Sequence, residues 1–197
     1  MKTEKNNPLS KESDNPEKEP LVLTIGHSTR TLDELVDLLK IHGTELLVDI
    51  RTIPRSRRNP QFNRETLPED LKTAEIEYQH LAGLGGLRHA RRDSVNTGWR
   101  NAGFRGFADY MQTDEFKKSL GNLIGLAQNK KICLMCAEAV PWRCHRSLIA
   151  DALLVRGIAV GHITGKGRPQ LHKLTSFARV EGVEITYPDS KILPVKK

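Results

Sequence analysis

The chain has 197 residues, of which 38% are hydrophobic and 28% are charged, and its formal net charge is +7. This length suits one domain with a single core, and the composition is that of a water-soluble globular protein rather than a membrane or fibrous one. No apolar stretch is long enough to span a membrane, and the positive charge favours anionic partners, either small molecules or nucleic acid.

The two ends of the chain differ in composition from the rest. Residues 1–20 combine Lys, Glu, Asn, Ser and Pro with almost no apolar side chains, which predicts a disordered tail. We expect one domain over residues 21–190, followed by a short basic tail at 191–197. Because the first residues lack the apolar stretch of an export signal and the cysteine count is odd, we predict free thiols and a cytoplasmic location.

Predicted strands and helices alternate along the chain. An apolar strand at 21–26 precedes a helix whose start is marked by a capping box, Thr31 with Glu34. The second strand, 46–51, has an unbroken apolar run, which is typical of a strand buried on both faces. Further strands are predicted at 76–81, 131–136 and 159–164, with a short edge strand at 183–187, and further helices at 67–74, 104–111, 114–127 and 146–156.

This alternation predicts a single-domain α/β fold, with a mainly parallel open sheet covered by helices on both faces. Ligands of such sheets bind beyond the carboxyl ends of the strands. Polar or reactive side chains stand at five of these ends, namely His27 with Ser28, Asp49 with Arg51, His80, Cys136 with Glu138, and His162. We therefore expect most of them to line a common pocket.

The densest group of reactive side chains runs from Cys136 to Arg146, between the fourth strand and the next helix. The N-terminus of a helix stabilises nearby negative charge, so it could lower the pKa of a thiol or hold a phosphate. Arg51, Arg55 and Arg146 are the predicted anion ligands. Arg55 belongs to a basic loop that also contains Arg57 and Arg58.

The cysteines allow three kinds of site. The first is a nucleophile, Cys136 or Cys144, with His145 as base and Glu138 or Asp49 as orienter. The second is a reversible disulfide between Cys136 and Cys144. The third, a zinc site that would also include Cys133, is disfavoured, because Cys133 and Cys136 would point to opposite faces of a strand. We therefore predict no metal or cofactor and place Cys133 in the core.

Some of these side chains also have purely structural explanations. Asp49 and Arg51 could form an ion pair that only holds the fold, and His27 and His162 could each satisfy a buried carbonyl. Cys136 and Cys144 could likewise serve only as packing residues. Two charges at the end of an apolar strand nevertheless favour a role in orienting a ligand or a histidine.

Several separated motifs occur along the chain: Thr24-Ile-Gly-His-Ser28, Asp49-Ile-Arg51 with Pro54 and Ser56, Leu81-Ala-Gly-Leu-Gly-Gly86, Phe107-x-x-Tyr-Met111, Cys136-Ala-Glu138 with Pro141, Cys144-His-Arg146 with Ile149-Ala150, and Val160-x-His-Ile163. With these motifs in this order, the chain resembles the domain of unknown function 488 family over residues 21–183. The chain departs from the family pattern at Ile50, where Val is more frequent, and at Ala82, where Gly is frequent. The resemblance implies the α/β fold and the pocket residues, and it implies no particular reaction.

Our leading hypothesis is an enzyme that acts on an anionic, phosphorylated, nucleotide or nucleic-acid substrate through Cys136 or Cys144 with His145. One alternative is a nucleic-acid binding or processing accessory that uses two basic loops, the one with Arg55 and a second one with arginines between residues 88 and 105. Its binding would weaken steeply with salt. Another alternative is a thiol redox sensor in which an oxidant joins Cys136 to Cys144.

Overall fold

The computed structural model describes residues 22–189, so the predicted tails at 1–20 and 191–197 lie outside the described residues. Its main feature is a six-stranded sheet in the order β3-β2-β4-β1-β5-β6, accompanied by a separate hairpin of β7 and β8. The strands are β1 Val22–Gly26, β2 Leu46–Asp49, β3 Glu77–His80, β4 Ile132–Cys136, β5 Val160–His162, β6 Gln170–Leu171, β7 Arg179–Glu181 and β8 Glu184–Thr186. The first five strands run parallel and β6 is antiparallel, which confirms the predicted α/β class.

Five α-helices connect the strands within residues 22–189. They are α1 Leu32–Ile41, α2 Leu67–Thr73, α3 Ala102–Tyr110, α4 Asp114–Asn129 and α5 Arg146–Leu154. The predicted capping box is present, since the Thr31 hydroxyl accepts from the Glu34 amide and the Glu34 carboxylate accepts from the Thr31 amide. None of these helices is both long and apolar enough to cross a bilayer.

The sheet separates two apolar clusters, as the predicted covering on both faces requires. Helices α1 and α2 pack on one face with Cys133 and Met135 of β4, whereas α3, α4 and α5 pack on the other face with Leu134 and Cys136. Cys133 and Cys136 therefore point to opposite faces, and Cys133 is a core residue as predicted.

The strand predicted at 183–187 as an edge of the main sheet was placed wrongly. It forms β8, which pairs with β7 in the separate hairpin. Long-range contacts hold this segment in place: Tyr187 is fully buried and its amide donates to Asn96 at 2.9 Å, while the Gln112 amide donates to the Ile185 carbonyl at 2.7 Å. The exposed strand β7 has no apolar pattern that would have revealed its pairing.

A buried polar network centred on Asp151 connects this hairpin segment to the main sheet. Asp151 Oδ1 accepts from His172 Nε2 at 2.8 Å and from the Thr175 amide at 3.0 Å, while Oδ2 accepts from the Thr175 hydroxyl at 2.7 Å and the Tyr187 hydroxyl at 2.9 Å. Nδ1 of His172 lies 3.0 Å from Nε2 of His162. Each carboxylate oxygen of Asp151 thus receives two donors.

We expect Asp151→Asn to lower the free energy of unfolding by about 2 kcal/mol. In either orientation of the new amide, its NH₂ group faces two donors and leaves them unsatisfied. Urea denaturation measures the loss, and Asp37→Asn on the exposed side of α1 is the matched control. If the two variants unfold at the same urea concentration, the Asp151 network does not stabilise the fold.

Candidate active site

The site lies where the connections of adjacent parallel strands diverge. The loop after β1 leads to α1 on one face of the sheet, whereas the loop after β4 leads to α5 on the other face. Gly26, the last residue of β1, is the register partner of Cys136, the last residue of β4. Such a divergence opens a crevice at the carboxyl ends of the strands, and Cys136 stands at its base.

Two thiols meet in this crevice. A short 3₁₀ turn at Pro141–Arg143 folds the chain back after β4, so that Cys144 Sγ lies 2.7 Å from Cys136 Sγ. Both side chains are almost completely buried, with exposed fractions of 1% for Cys136 and 4% for Cys144. The structure therefore brings together the two cysteines that the sequence placed in one site.

Arg146 lies directly behind Cys136 and is fully buried. One guanidinium nitrogen, Nη1, donates to Cys136 Sγ at 2.7 Å and to the Glu138 carbonyl, while Nη2 donates to the Ala139 carbonyl at 2.7 Å. Within residues 22–189 no carboxylate pairs with this arginine. A buried cation without an anion is strongly unfavourable, so the Cys136 thiolate is the negative charge that the arrangement requires.

The same contacts set the ionisation of the two thiols. Burial alone would raise the pKa of Cys136, but the hydrogen bond from Cys144 and the charge of Arg146 outweigh it and lower that pKa to about 7. Burial and the proximity of Cys136 raise the pKa of Cys144 well above its ordinary value. Near neutral pH Cys136 is therefore the thiol that ionises, and its thiolate predominates above pH 7, while Cys144 stays protonated.

His145 presents a proton acceptor to Cys144. Its Nε2 lies 3.2 Å from the Ile50 carbonyl, which can only accept, so Nε2 carries the proton and Nδ1 is left with a lone pair. That Nδ1 is 3.6 Å from Cys144 Sγ. Burial lowers the pKa of His145 to about 4, which keeps the ring neutral at pH 7.

The loop that follows β3 packs closely against this ring. A Cβ atom at Gly86 would lie 2.4 Å from Nδ1 of His145, so only glycine lets the backbone approach the ring this closely.

Asp49 and Arg51 form a buried ion pair beside the thiols. Arg51 donates to Asp49 through Nε and through Nη2, the latter at 2.6 Å, and Tyr78 also donates to this carboxylate at 2.8 Å. Nη1 of Arg51 lies 3.3 Å from Nε2 of His27, and burial lowers the pKa of His27 to about 4. Neither Asp49 nor the exposed carboxylate of Glu138 hydrogen-bonds His145; the Ile50 carbonyl orients that ring instead.

Two adjoining cavities open onto these groups. The first, the thiol cavity, has a volume of about 200 Å³ and is lined by Arg51, Thr52, Ile53, Gly86, Leu87, Cys136, Ala137, Glu138, Cys144 and His145. The second, the arginine cavity, has a volume of about 410 Å³ and includes His27, Ser28, Arg51, Arg55, Arg58, Glu138 and Arg143 in its lining. Because both are lined by Arg51 and Glu138, a ligand in the arginine cavity would lie beside the thiol cavity.

Most of the residues predicted for the site line these two cavities, and three do not. Asp49 is fully buried and accepts hydrogen bonds from Arg51 instead of facing a cavity. Arg146 was predicted to bind substrate, but its buried guanidinium contacts the Cys136 thiol and loop carbonyls instead. His162 lines a different cavity, where its Nδ1 is hydrogen-bonded to the Thr24 hydroxyl at 2.7 Å and its Nε2 faces His172. Its position at a strand end was predicted correctly, whereas the direction of its side chain was not.

The prediction also missed groups that the structure places in the site. Arg58 and Arg143 line the arginine cavity, and the Ile50 carbonyl orients His145. The run of arginines after β2 was a signal for Arg58, but no sequence pattern identifies a carbonyl as an orienting group.

The comparisons with known proteins identify a family and do not identify a reaction. No curated protein and no solved structure matches the chain. The family model described as "Domain of unknown function DUF488" matches residues 31–153, which is more than half of the chain and includes Asp49, Cys136, Cys144 and His145. The protein is therefore a member of the DUF488 family.

Proposed function

We propose that the protein is a cysteine-dependent enzyme in which the Cys136 thiolate attacks an anionic substrate. The observation that supports this proposal best is the fully buried Arg146, whose contacts include Cys136 but no carboxylate. If Cys136 were only a packing residue, the guanidinium would have just two loop carbonyls as acceptors and no negative charge to offset its burial, which costs several kcal/mol. Holding a thiolate at neutral pH is the usual way of making a cysteine nucleophilic.

The arginine cavity supports the anionic character of the substrate. Arg51 is neutralised by Asp49, and Arg55 pairs with Glu65. Arg58 and Arg143 are exposed and have no carboxylate partner within residues 22–189. These two guanidinium groups are the ones that can attract and hold an anion beside the thiolate.

Two small alkylating reagents that differ mainly in charge test this proposal. We expect iodoacetate, an anion, to alkylate Cys136 faster relative to neutral iodoacetamide than it alkylates a free thiol in solution. In the double variant Arg58→Ala/Arg143→Ala the iodoacetate rate is expected to fall roughly tenfold, because two attracting charges are lost. Peptide mapping by mass spectrometry measures the alkylation rate of Cys136 for each reagent.

The matched control is Arg57→Ala, which removes an exposed arginine of the same loop that does not line the arginine cavity. We expect the iodoacetate rate of this variant to stay close to that of the wild type. The iodoacetamide rates of both variants should also match the wild-type rate. If Cys136 resists both reagents at neutral pH, the proposed thiolate is wrong. If the double variant and the control lose iodoacetate reactivity equally, the arginine cavity is not the anion site.

A further inference from the structure

We propose that Cys144 is a second catalytic thiol, which resolves the adduct that a small anionic disulfide forms on Cys136. The protein would then reduce that disulfide and end the turnover with a Cys136–Cys144 disulfide of its own. This inference rests on the proposed function and adds to it a reaction class and a substrate class.

The geometry of the two thiols is the first support. Cys144 Sγ lies 2.7 Å from Cys136 Sγ, so little movement is needed for the two atoms to bond. Both thiols line the thiol cavity, so a group attached to Cys136 stays within reach of Cys144. The third cysteine, Cys133, packs on the opposite face of the sheet and takes no part.

Cys144 also has a route for its proton. Its single S–H can point to the Cys136 thiolate in the resting site, or to the lone pair of His145 Nδ1 at 3.6 Å. Once Cys136 has reacted it no longer carries a negative charge, and His145 is then the acceptor that remains. The Ile50 carbonyl holds Nε2–H of the same ring and would stabilise the imidazolium that forms.

One round of the reaction balances without a further cofactor, and an external dithiol then restores both protein thiols by exchange with the Cys136–Cys144 bond, itself becoming a disulfide. The Cys136 thiolate attacks one sulfur of the disulfide R–S–S–R, forming Cys136–S–S–R and releasing R–S⁻. Cys144 passes its proton to His145 Nδ1 and attacks Cys136 Sγ, so that the Cys136–Cys144 bond forms and the second R–S⁻ leaves. His145 returns the proton to a leaving thiolate, giving one R–S⁻ and one R–SH for each disulfide reduced.

The charges around the site favour an anionic disulfide over other oxidants. Arg58 and Arg143 line the cavity that adjoins the thiols, and they offer no advantage to an uncharged oxidant such as hydrogen peroxide. The thiol cavity, at about 200 Å³, limits the reacting end of the substrate to a small group. A disulfide with short carboxylate-bearing arms satisfies both conditions.

Dithiodiglycolate, a small disulfide with two carboxylates, is the probe that tests this inference. Intact-mass measurement of the wild type after reaction is expected to show the loss of two hydrogen atoms and no retained adduct. In Cys144→Ser, which keeps a hydroxyl donor beside Cys136, and in Cys144→Ala, we expect one stable carboxymethylthio adduct, located on Cys136 by peptide mapping. Bis(2-hydroxyethyl) disulfide, the neutral analogue, is expected to react roughly tenfold more slowly than dithiodiglycolate with the wild type.

The possible failures can be told apart. A stable adduct on Cys136 of the wild type, with Cys144 still free, would overturn the resolving role and leave the proposed nucleophile intact. Formation of the Cys136–Cys144 disulfide by hydrogen peroxide but not by dithiodiglycolate would overturn the substrate class. If no adduct forms on Cys136 in either Cys144 variant and iodoacetate also fails to react there, the proposed function itself is wrong.

Discussion

Cys136→Ala is expected to abolish the proposed thiol chemistry and to lower the free energy of unfolding by about 3 kcal/mol at pH 9. The loss of stability follows from Arg146, which would remain buried without a negative charge beside it. Since the pKa of Cys136 is lowered from 9 to about 7 in the folded protein, the thiolate contributes fully above pH 9 and its contribution is lost as the pH falls through 7. Urea denaturation of both proteins across this range measures the difference.

Cys133→Ala is the matched control for this experiment. Cys133 is also fully buried in β4, but burial raises its pKa, so it stays a neutral thiol throughout the range. We expect the stability difference between wild type and Cys133→Ala to be about 1 kcal/mol and independent of pH. A difference between wild type and Cys136→Ala that also stays constant from pH 6 to 9 would show that Arg146 does not stabilise a thiolate.

Gly26→Ala is expected to destabilise the protein by about 3–4 kcal/mol and to disrupt the site at the same time. A Cβ atom at Gly26 would lie 1.8 Å from the Glu138 carbonyl oxygen and 2.8 Å from Nη1 of Arg146. The carbonyl belongs to the backbone of the loop after β4, so the clash cannot be relieved by rotating a side chain. Urea denaturation measures the stability, and the iodoacetamide rate of Cys136 measures the site.

The control for this substitution, Gly121→Ala, is expected to raise the free energy of unfolding rather than to lower it. Gly121 lies within α4, and a Cβ atom there meets nothing within 4 Å. Gly121→Ala should therefore stabilise the protein by about 0.5–1 kcal/mol, since alanine favours a helix interior. If Gly26→Ala is as stable and as reactive as the wild type, the loop after β4 does not depend on close contact with β1.

Those parts of the fold that depend on local patterns could be predicted from the sequence. The capping box at Thr31 and the apolar runs of β2 and β4 each consist of residues that are close together in the sequence, and each of these elements is present. The pairing of β8 could not be predicted in this way. It depends on β7, whose exposed residues carry no apolar pattern, and on contacts made by Tyr187 with residues far away in the chain.

The location of the site was predictable because the ends of parallel strands must meet at one edge of the sheet. It was harder to predict which side chains face the cavity, because a small rotation of the backbone changes the direction in which a side chain points. Arg146 shares a helix face with Ile149, Ala150 and Leu153, at intervals of three, four and seven residues, and this spacing would have placed it on a buried face. For His162 no such signal exists, since its direction depends on Thr24 and His172.

The central position of β1 in the sheet limits how far the chain can be truncated. Strand β1 comes first among the described elements, yet it lies between β4 and β5 and hydrogen-bonds to both. A fragment trimmed to the family-matched residues 31–153 would lack β1 and β5, so β4 would become an open edge whose unpaired amides and carbonyls invite aggregation. The region of family similarity is thus smaller than the hydrogen-bonded sheet, and a fragment that keeps the whole sheet must include at least residues 22–171.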